Sequence, residues 1–401
     1  MNASRLTARR IRTHGLLLAI CLWTVYAIDM STPGLRDRNG LIKGTDFLHF
    51  YTLGNIALQK RGDLLYDIKA QASLLQKLVP AAAGNLYIPL YGPQVSLLFA
   101  PFARWSYPVA LTIWLLLNAV IYGMCCYLVW KHCPNLRAQP RTVLVAALAF
   151  PGFFHLILWG QTSALALLCF TLAFLALSKN RPYLAGLAIG SLIFKPQLGL
   201  AAAVIFLFAR EWKLIATAIL AALAQFTVGW LYYGTPAMSE YLRSLRNVGD
   251  VMALLEPRPY QMHSLRAFWS LLIPWTPPAF ALYALTAATI LALAVRRWRS
   301  TTTLGLRYSA LMLATVLVAP HLTVYDLLIL APAFLLMADW AVVGGKRPAP
   351  MMSVLIYLCY PLFLLGPLAR ITHLQLSVIA MTGLLLLIDR DRKMPSSPYI
   401  A

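Results

Sequence analysis

An acid, a histidine and several aromatic rings stand together just after the first apolar run of the sequence. The stretch covers residues 44–51 and reads GTDFLHFY, with Asp46 as its acid and His49 as its histidine. A carboxylate at a membrane surface can take a proton from an attacking hydroxyl if its surroundings leave it ionised but partly desolvated. The alternative is a helix N-cap formed by Thr45 or Asp46, and the composition of the stretch alone favours the cap.

A lysine and a proline interrupt a long apolar stretch at Lys195-Pro196. Because proline cannot continue a helix, the chain is expected to turn there, with the cation at the membrane surface. Lys195 could neutralise a phosphate, or it could be a snorkelling lysine in a tight turn. The residues themselves do not separate these two interpretations.

A third polar turn joins two apolar runs at residues 319–326, which read APHLTVYD. His321 could donate a hydrogen bond to a phosphate oxygen, and Asp326 could orient a neighbour or bind a sugar hydroxyl. A plain capping turn, with Asp326 at the start of a helix, is the alternative. Because ionisable residues this close to hydrocarbon are functional by default, the sequence favours a site here.

Further candidates lie in two other polar segments. Gly160-Gln161 forms a short turn between apolar runs, and residues 234–277 carry several basic side chains. Arginine can grip a phosphate with two hydrogen bonds, but a basic segment beside a membrane also contacts lipid headgroups. The candidates in that segment are Arg243, Arg246, Arg258, Tyr260, His263 and Arg266. The sequence has no glycine loop for phosphate, no nucleophile elbow and no zinc motif, so neither a metal nor a cofactor is expected.

These polar turns are embedded in a strongly apolar chain. Of its 401 residues 60% are hydrophobic and only 12% are charged, and the mean hydropathy is +0.69. That leaves too little polar surface for a water-soluble globule and predicts an integral membrane protein. The net charge of +21 comes from Lys and Arg residues scattered over short loops, which indicates topology rather than nucleic-acid binding. The six cysteines fall in or beside apolar runs, which predicts buried side chains.

Apolar runs that could form membrane helices recur along the whole chain. The predicted spans, about twelve in number, are residues 14–30, 107–130, 142–158, 161–178, 182–194, 197–209, 212–233, 278–295, 306–319, 322–341, 351–367 and 373–388. If the basic N-terminus is cytoplasmic, the basic loops fall on the same side and both termini are cytoplasmic. Residues 1–401 then form a single membrane domain that ends in a cytoplasmic tail, residues 389–401.

Two long loops and most of the acids fall on the opposite, outer side. The loops are residues 31–106 and 234–277, and long ordered loops are where binding and catalysis concentrate. The apolar spacing of residues 46–58 predicts an amphipathic helix lying at the membrane interface. Residues 95–102 are apolar, too short to span and bounded by prolines, which predicts a re-entrant element. The outer face is therefore the expected working face.

Taken in order along the chain, these segments resemble glycosyltransferase family 87. The matching pieces are Asp46-Phe47 with Tyr51, residues 62–67, residues 91–94 with 98–102, Gly160-Gln161, residues 185–190 leading to Lys195-Pro196, and Pro320-His321 with Tyr325-Asp326. They cover residues 44 to about 330. The sequence departs from the family at Tyr91-Gly92-Pro93, where typical members carry two adjacent prolines.

The resemblance implies an all-α polytopic membrane protein of the GT-C fold, with interfacial helices in the first outer loop. It implies a transferase that takes a hexose, with mannose as the expected sugar, from a polyprenyl phosphate. The sugar would pass to a glycolipid or glycan of the cell envelope at the periplasmic face of the bacterial inner membrane. Asp46 would be the catalytic base and His321 a second catalytic residue. The residues expected to bind substrate are Lys195, Asp326, Tyr325, Gln161, Tyr91, Gln94, His49, Arg258, His263 and Arg266.

A transporter or lipid flippase is the rival interpretation, because many spans with both ends inside suit it equally well. A transporter should place its ionisable residues near the membrane midplane and often shows a repeat between its halves. Here the acids gather in outer loops, and the sequence shows no internal repeat. One outer-facing cavity that contains Asp46 and His321 and opens sideways to lipid would favour the transferase.

Overall fold

The chain is helical almost throughout, as its apolar runs predict. The structure is a computed structural model that describes residues 7–251, 258–342 and 350–390. Over those residues it contains α-helices, 3-10 helices and two isolated β-bridges, and no strand. Most of the expected cytoplasmic tail, residues 391–401, lies outside the described residues, as do residues 252–257 of the second outer loop.

The first half of the described chain begins with one long helix, folds several shorter ones, and then forms a compact group of apolar helices. These helices are α1 Ala8–Met30, α2 Thr45–Leu58, α3 Ile68–Leu78, α4 Gln94–Phe99, α5 Tyr107–Trp130, α6 Pro140–Leu148, α7 Pro151–Trp159, α8 Ser163–Ser178 and α9 Pro182–Gly190. The helices that follow are α10 Pro196–Ala209, α11 Trp212–Arg246, α12 Leu265–Leu272, α13 Thr276–Trp298, α14 Leu304–Val318, α15 Ala331–Ala341, α16 Pro350–Leu362, α17 Gly366–Thr372 and α18 Leu376–Arg390. A 3-10 helix, Val324–Leu330, leads directly into α15.

Fewer helices than expected are long enough to cross a bilayer. Within the described residues five are long and apolar enough, or up to seven if each of two bent pairs counts as one span. Four further apolar helices, including α8 and α14, have only 10–17 residues, whereas a bilayer core needs about 20. The structure fits a membrane protein, but the prediction of about twelve spans is not confirmed.

Several predicted span boundaries are wrong, and proline or glycine explains most of the differences. The span predicted at 142–158 is two helices, α6 and α7, that meet at a 45° bend just before Pro151, whose ring removes a backbone donor. The helix predicted to end at 233 continues to Arg246 through a kink at Gly234, so the second outer loop begins later than expected. Between α16 and α17 the chain bends by 86°.

The first outer loop folds into the protein, which contradicts the prediction of an amphipathic interfacial helix. The helix itself forms as expected, but residues 47–57 of α2 are all buried. Phe47 is 0% exposed and stacks on Trp114 of α5, with ring centroids 5.8 Å apart, while Phe50 stacks on Phe99 of α4 at 4.7 Å. Each fully buried aromatic side chain stabilises the fold by about 1.5–3 kcal/mol. These contacts hold α2 in place.

The larger hydrophobic core lies among α5, α8, α10, α14 and α15. Residues 308–318 of α14 are all buried, so this helix is enclosed by others. Four cysteines are buried as expected, namely Cys125, Cys126, Cys133 and Cys359. Cys169 is half-buried, and Cys21 is exposed on α1, contrary to the prediction.

Candidate active site

Asp46 lies in the first turn of α2, where Gln161 reaches it from the turn after α7. Gln161 Nε2 donates to Asp46 Oδ2 at 3.0 Å and to the Tyr325 hydroxyl at 3.2 Å. The amide oxygen of Gln161 accepts from the backbone N–H of Thr162 at 2.9 Å. Because a backbone N–H can only donate, this bond fixes the amide with its NH₂ group toward Asp46. Segments far apart in sequence therefore meet at one carboxylate.

The N-cap of α2 is Gly44, so the interpretation of Asp46 or Thr45 as a helix cap is wrong. Gly44 adopts the left-handed conformation with φ of 66°, and no side chain caps the helix. A Cβ at this position would lie 2.3 Å from Leu111 Cδ1. Glycine is thus needed both for the backbone angle and for the close approach of α5. The Asp46 side chain points instead to Gln161.

Helix α5 anchors the two turns that bring Asp46 and Gln161 together. The Tyr107 hydroxyl donates to the backbone carbonyls of Lys43 and Gly44, at 2.7 and 3.0 Å. Trp114 Nε1 donates to the carbonyl of Gly160 at 2.8 Å. Gly160 has φ of 69°, and a Cβ there would lie 2.9 Å from the Phe47 Cβ. One rigid helix therefore sets the position of both turns.

A second carboxylate, Asp326, forms a buried ion pair with Lys195. The Lys195 Nζ lies 2.7 Å from Asp326 Oδ1, and the Ser163 hydroxyl donates to the same oxygen at 2.6 Å. Lys195 is 2% exposed and Asp326 is 1% exposed. The lysine also lies over the Tyr325 ring, 5.2 Å from its centroid. The pair therefore touches the same tyrosine that accepts a hydrogen bond from Gln161.

The chain turns at Lys195-Pro196 as predicted, but Lys195 does not snorkel. It lies between a short 3-10 helix, Ser191–Phe194, and Pro196, the first residue of α10. A residue before proline is driven out of the helical region, and Lys195 has φ of −131° and ψ of 69°. Its side chain runs into the protein to Asp326 instead of outward to a headgroup. The snorkelling interpretation is wrong.

The surroundings of Asp46 suit a carboxylate that accepts a proton. The residue keeps some exposure, whereas Asp326 is fully enclosed. Burial of its carboxyl group raises the pKa of Asp46 to about 6, although the Gln161 hydrogen bond and the charge of Lys195 both lower it. Near pH 7 Asp46 is therefore mostly ionised, yet its proton affinity is far above that of an aspartate in water.

An aromatic wall lies beside this network and includes His49 and Tyr91. The His49 ring lies 5.1 Å from the ring of Tyr87 and 5.9 Å from that of Tyr91. Burial lowers the pKa of His49 to about 4 and raises that of Tyr91, so both groups are neutral at pH 7. Both ring nitrogens of His49 are buried without a hydrogen-bond partner among the described residues. The role of these two side chains in binding substrate stays a prediction.

Among the described residues, no hydrogen bond or ion pair joins Gln94, His263 or Arg258 to Asp46. Gln94 is buried at the start of α4, with its backbone against Gly229 of α11. His263 is 0% exposed, and its Nδ1 lies 2.7 Å from the Ser377 hydroxyl. Arg258 is exposed and lines a cavity together with Asp29 and Asp37.

Arg266 binds the turn that carries His321. The Arg266 Nε donates to the backbone carbonyl of Pro320, the residue before His321. His321 is half-buried there, five residues before Asp326. The turn is held to the second outer loop because Met262 and Thr323 form an isolated β-bridge. Among the described residues, no three His, Cys, Asp or Glu side chains form a group that could hold a metal ion.

Sequence reasoning missed three polar residues of this site. Ser163 bonds Asp326, Thr162 orients Gln161, and the Tyr87 hydroxyl donates to the carbonyl of Thr45. A signal for two of them exists, because residues 160–163 read GQTS, a polar run between apolar helices. Tyr87 offers no comparable signal, since tyrosines occur throughout the chain.

The described chain is a helical, apolar protein that holds a partly exposed carboxylate, Asp46, beside the buried pair of Lys195 and Asp326. The family model for glycosyltransferase family 87 matches residues 90–320, which is more than half of the chain. The chain belongs to glycosyltransferase family 87 and is a glycosyltransferase that uses a sugar donor and an acceptor. No curated protein and no solved structure matches it.

The matched region includes Gln161 and Lys195 but not Asp46, Tyr325 or Asp326. These three residues are joined to the matched region by hydrogen bonds and the ion pair. Family membership does not favour the transporter alternative.

Proposed function

We propose that the chain transfers a hexose, with mannose as the expected sugar, from a polyprenyl phosphate to a glycolipid or glycan of the cell envelope. In this proposal the protein has the GT-C fold and lies in the bacterial inner membrane with both termini in the cytoplasm. The site that contains Asp46 faces the periplasm. Membership of glycosyltransferase family 87 supports the transfer itself.

The single observation that carries the proposed mechanism is the position of the Asp46 carboxylate. It is partly exposed and desolvated, and it accepts a hydrogen bond from a neutral amide that Thr162 holds in one orientation. Asp326, by contrast, is already paired with Lys195. Asp46 is therefore the better candidate for the proton acceptor of this cluster.

The proposed reaction is a single displacement. Asp46 removes the proton from an acceptor hydroxyl, and the oxygen forms a bond to the anomeric carbon of the donor. The bond between that carbon and the phosphate oxygen breaks, and polyprenyl phosphate leaves with the bonding electrons. The anomeric configuration is inverted, and the proton remains on Asp46 until the product departs.

The leaving phosphate needs positive charge or hydrogen-bond donors, because negative charge grows on its oxygen. His321 and Arg266 share the turn around Pro320, and in this proposal they face the phosphate. Lys195 is a positioning residue here, because Asp326 already neutralises it. Its charge lowers the pKa of Asp46 and its ammonium group lies over Tyr325.

The test is transfer by Asp46→Asn in membranes supplied with a radiolabelled polyprenyl-phosphate hexose. Asparagine is isosteric and keeps an acceptor oxygen for Gln161 but cannot take the proton. Loss of a general base lowers the rate by roughly 100- to 10,000-fold. Asp63→Asn is the matched control, since Asp63 is an exposed acid of the same outer segment that pairs with Arg61. Transfer near the wild-type rate by Asp46→Asn would exclude the base assignment.

A further inference from the structure

A cavity of about 300 Å³ lies apart from the Asp46 hydrogen-bond network. Its lining comes from the end of α1 and the loop after it, the start of α2, the end of α7 and the second outer loop. The side chains that matter are Asp29, Asp37, Asn39, Thr45, Trp159 and Arg258. The volume is at the lower end of the range for small-molecule sites and suits one or a few sugar rings rather than a lipid chain.

Two connections along the chain link the lining of this cavity to the candidate base. Thr45 lines the cavity and directly precedes Asp46. Trp159 also lines it and lies two residues before Gln161, whose amide is 3.0 Å from the Asp46 carboxylate. The two turns that α5 anchors therefore set both the wall of the cavity and the position of the base.

The lining offers the chemistry that recognises sugar hydroxyls. Asp37 is 9% exposed, and its Oδ1 accepts from the backbone N–H groups of Asn39 and Leu41 at 2.9 Å. Asp29 Oδ1 accepts from Asn39 Nδ2 at 2.9 Å. The described hydrogen bonds to both carboxyl groups use Oδ1, so Oδ2 of each can accept from a hydroxyl. Trp159 adds an aromatic ring against which the C–H face of a pyranose can pack.

The charge of the lining indicates which of the two substrates, the sugar acceptor or the phosphate-bearing donor, the cavity would bind. Two carboxylates, Asp29 and Asp37, share the cavity with one guanidinium, that of Arg258. A phosphate placed there would meet the net negative charge of the lining, which is unfavourable, whereas a neutral polyol would not. We infer that this cavity binds the acceptor, as a neutral pyranose whose hydroxyl is presented to Asp46. The acceptor role rests on the proposed function, but the binding of a neutral sugar does not.

The first experiment measures binding without catalysis. Asn39→Cys in a chain that also carries Cys21→Ser places a thiol at the cavity, and a membrane-impermeant maleimide reports its accessibility in intact full-length protein. Octyl α-mannopyranoside is expected to slow labelling at least about fivefold at saturation, and inorganic phosphate is not. Ala83→Cys, an exposed position in the same outer segment, is the control that the sugar leaves unchanged. Protection by phosphate alone, or no protection by the sugar, overturns the inference.

The second experiment separates acceptor from donor. With octyl α-mannopyranoside as acceptor and a polyprenyl-phosphate hexose as donor, Asp29→Asn and Arg258→Gln are expected to raise the acceptor KM about tenfold. The donor KM should stay within about twofold, and Asp63→Asn should change neither constant. A rise in the donor KM instead would assign the cavity to the donor and overturn the inference. Sugar protection in a chain that transfers no hexose would refute the proposed function while leaving the sugar site standing.

Discussion

Asp46 and Asp326 belong to one cluster, yet their surroundings give them opposite tasks. Asp326 is buried. Its Oδ1 forms an ion pair with Lys195 Nζ at 2.7 Å and accepts a hydrogen bond from the Ser163 hydroxyl at 2.6 Å. Asp46 is partly exposed, and its Oδ2 accepts a hydrogen bond from the neutral amide of Gln161 at 3.0 Å. A cationic partner stabilises the ionised form of a carboxylate and so keeps it from taking up a proton. A neutral partner stabilises that form less, so the carboxylate can still accept a proton. Substitutions that change the partner of only one of the two carboxylates test this difference.

The largest expected effect comes from breaking the buried pair. Lys195→Met leaves the Asp326 carboxylate buried without its cation, which costs about 3–5 kcal/mol. We expect the variant to lose most of its monodisperse, folded protein after detergent extraction, as measured by size-exclusion chromatography. The double variant Lys195→Met with Asp326→Leu removes both charges and should recover much of that stability. A single variant as stable as wild type would show that the pair is not a structural element.

Removing the neutral partner of Asp46 should change the pH dependence of transfer and leave the fold intact. The hydrogen bond from Gln161 lowers the pKa of Asp46, so Gln161→Ala should raise it above about 6. Transfer at pH 6 should fall about fivefold more than transfer at pH 8. Gln225→Ala, which removes a half-buried glutamine side chain of α11, is the control and should leave the profile unchanged. An unshifted profile in Gln161→Ala would show that this bond does not tune the base.

The smallest expected effect is on stability. The pKa of Asp46 is about 6 in the folded chain and near 4 when unfolded, because burial disfavours the charged form. The folded state then binds more protons between pH 4 and 6, and its stability falls as the pH rises through that window. Asp46→Asn should therefore raise the melting temperature at pH 8 by a few degrees, corresponding to about 1–2 kcal/mol. At pH 4.5 the difference should be much smaller, and a destabilised variant at pH 8 would contradict this account.

The sequence predicts the turns of the site better than their partners. Lys195-Pro196 and Gly160-Gln161 interrupt apolar runs with proline and glycine, and the chain turns at both. The pairing of Lys195 with Asp326 joins residues 131 positions apart, and local patterns carry no information about such a contact. Sequence reasoning therefore identified both side chains but not the bond between them.

The sequence predicts the existence of α2 but not its surroundings. Apolar residues at helical spacing suit lipid and protein interior equally, because both are apolar. In the structure Tyr107 and Trp114 of α5 stack on Phe47, so α2 packs against protein. His263 shows the same limitation, since a histidine among arginines gives no sign of Ser377, its partner from the start of α18.

The most direct test of the difference between the two carboxylates is the pH dependence of transfer by the wild-type chain. Single-turnover transfer from a labelled polyprenyl-phosphate hexose would be measured between pH 4.5 and 8.5. The rate should be constant above about pH 7 and fall with a slope of one proton below about 6, as Asp46 becomes protonated. A rate that stays constant down to pH 4.5 would contradict the assignment of Asp46 as a desolvated proton acceptor.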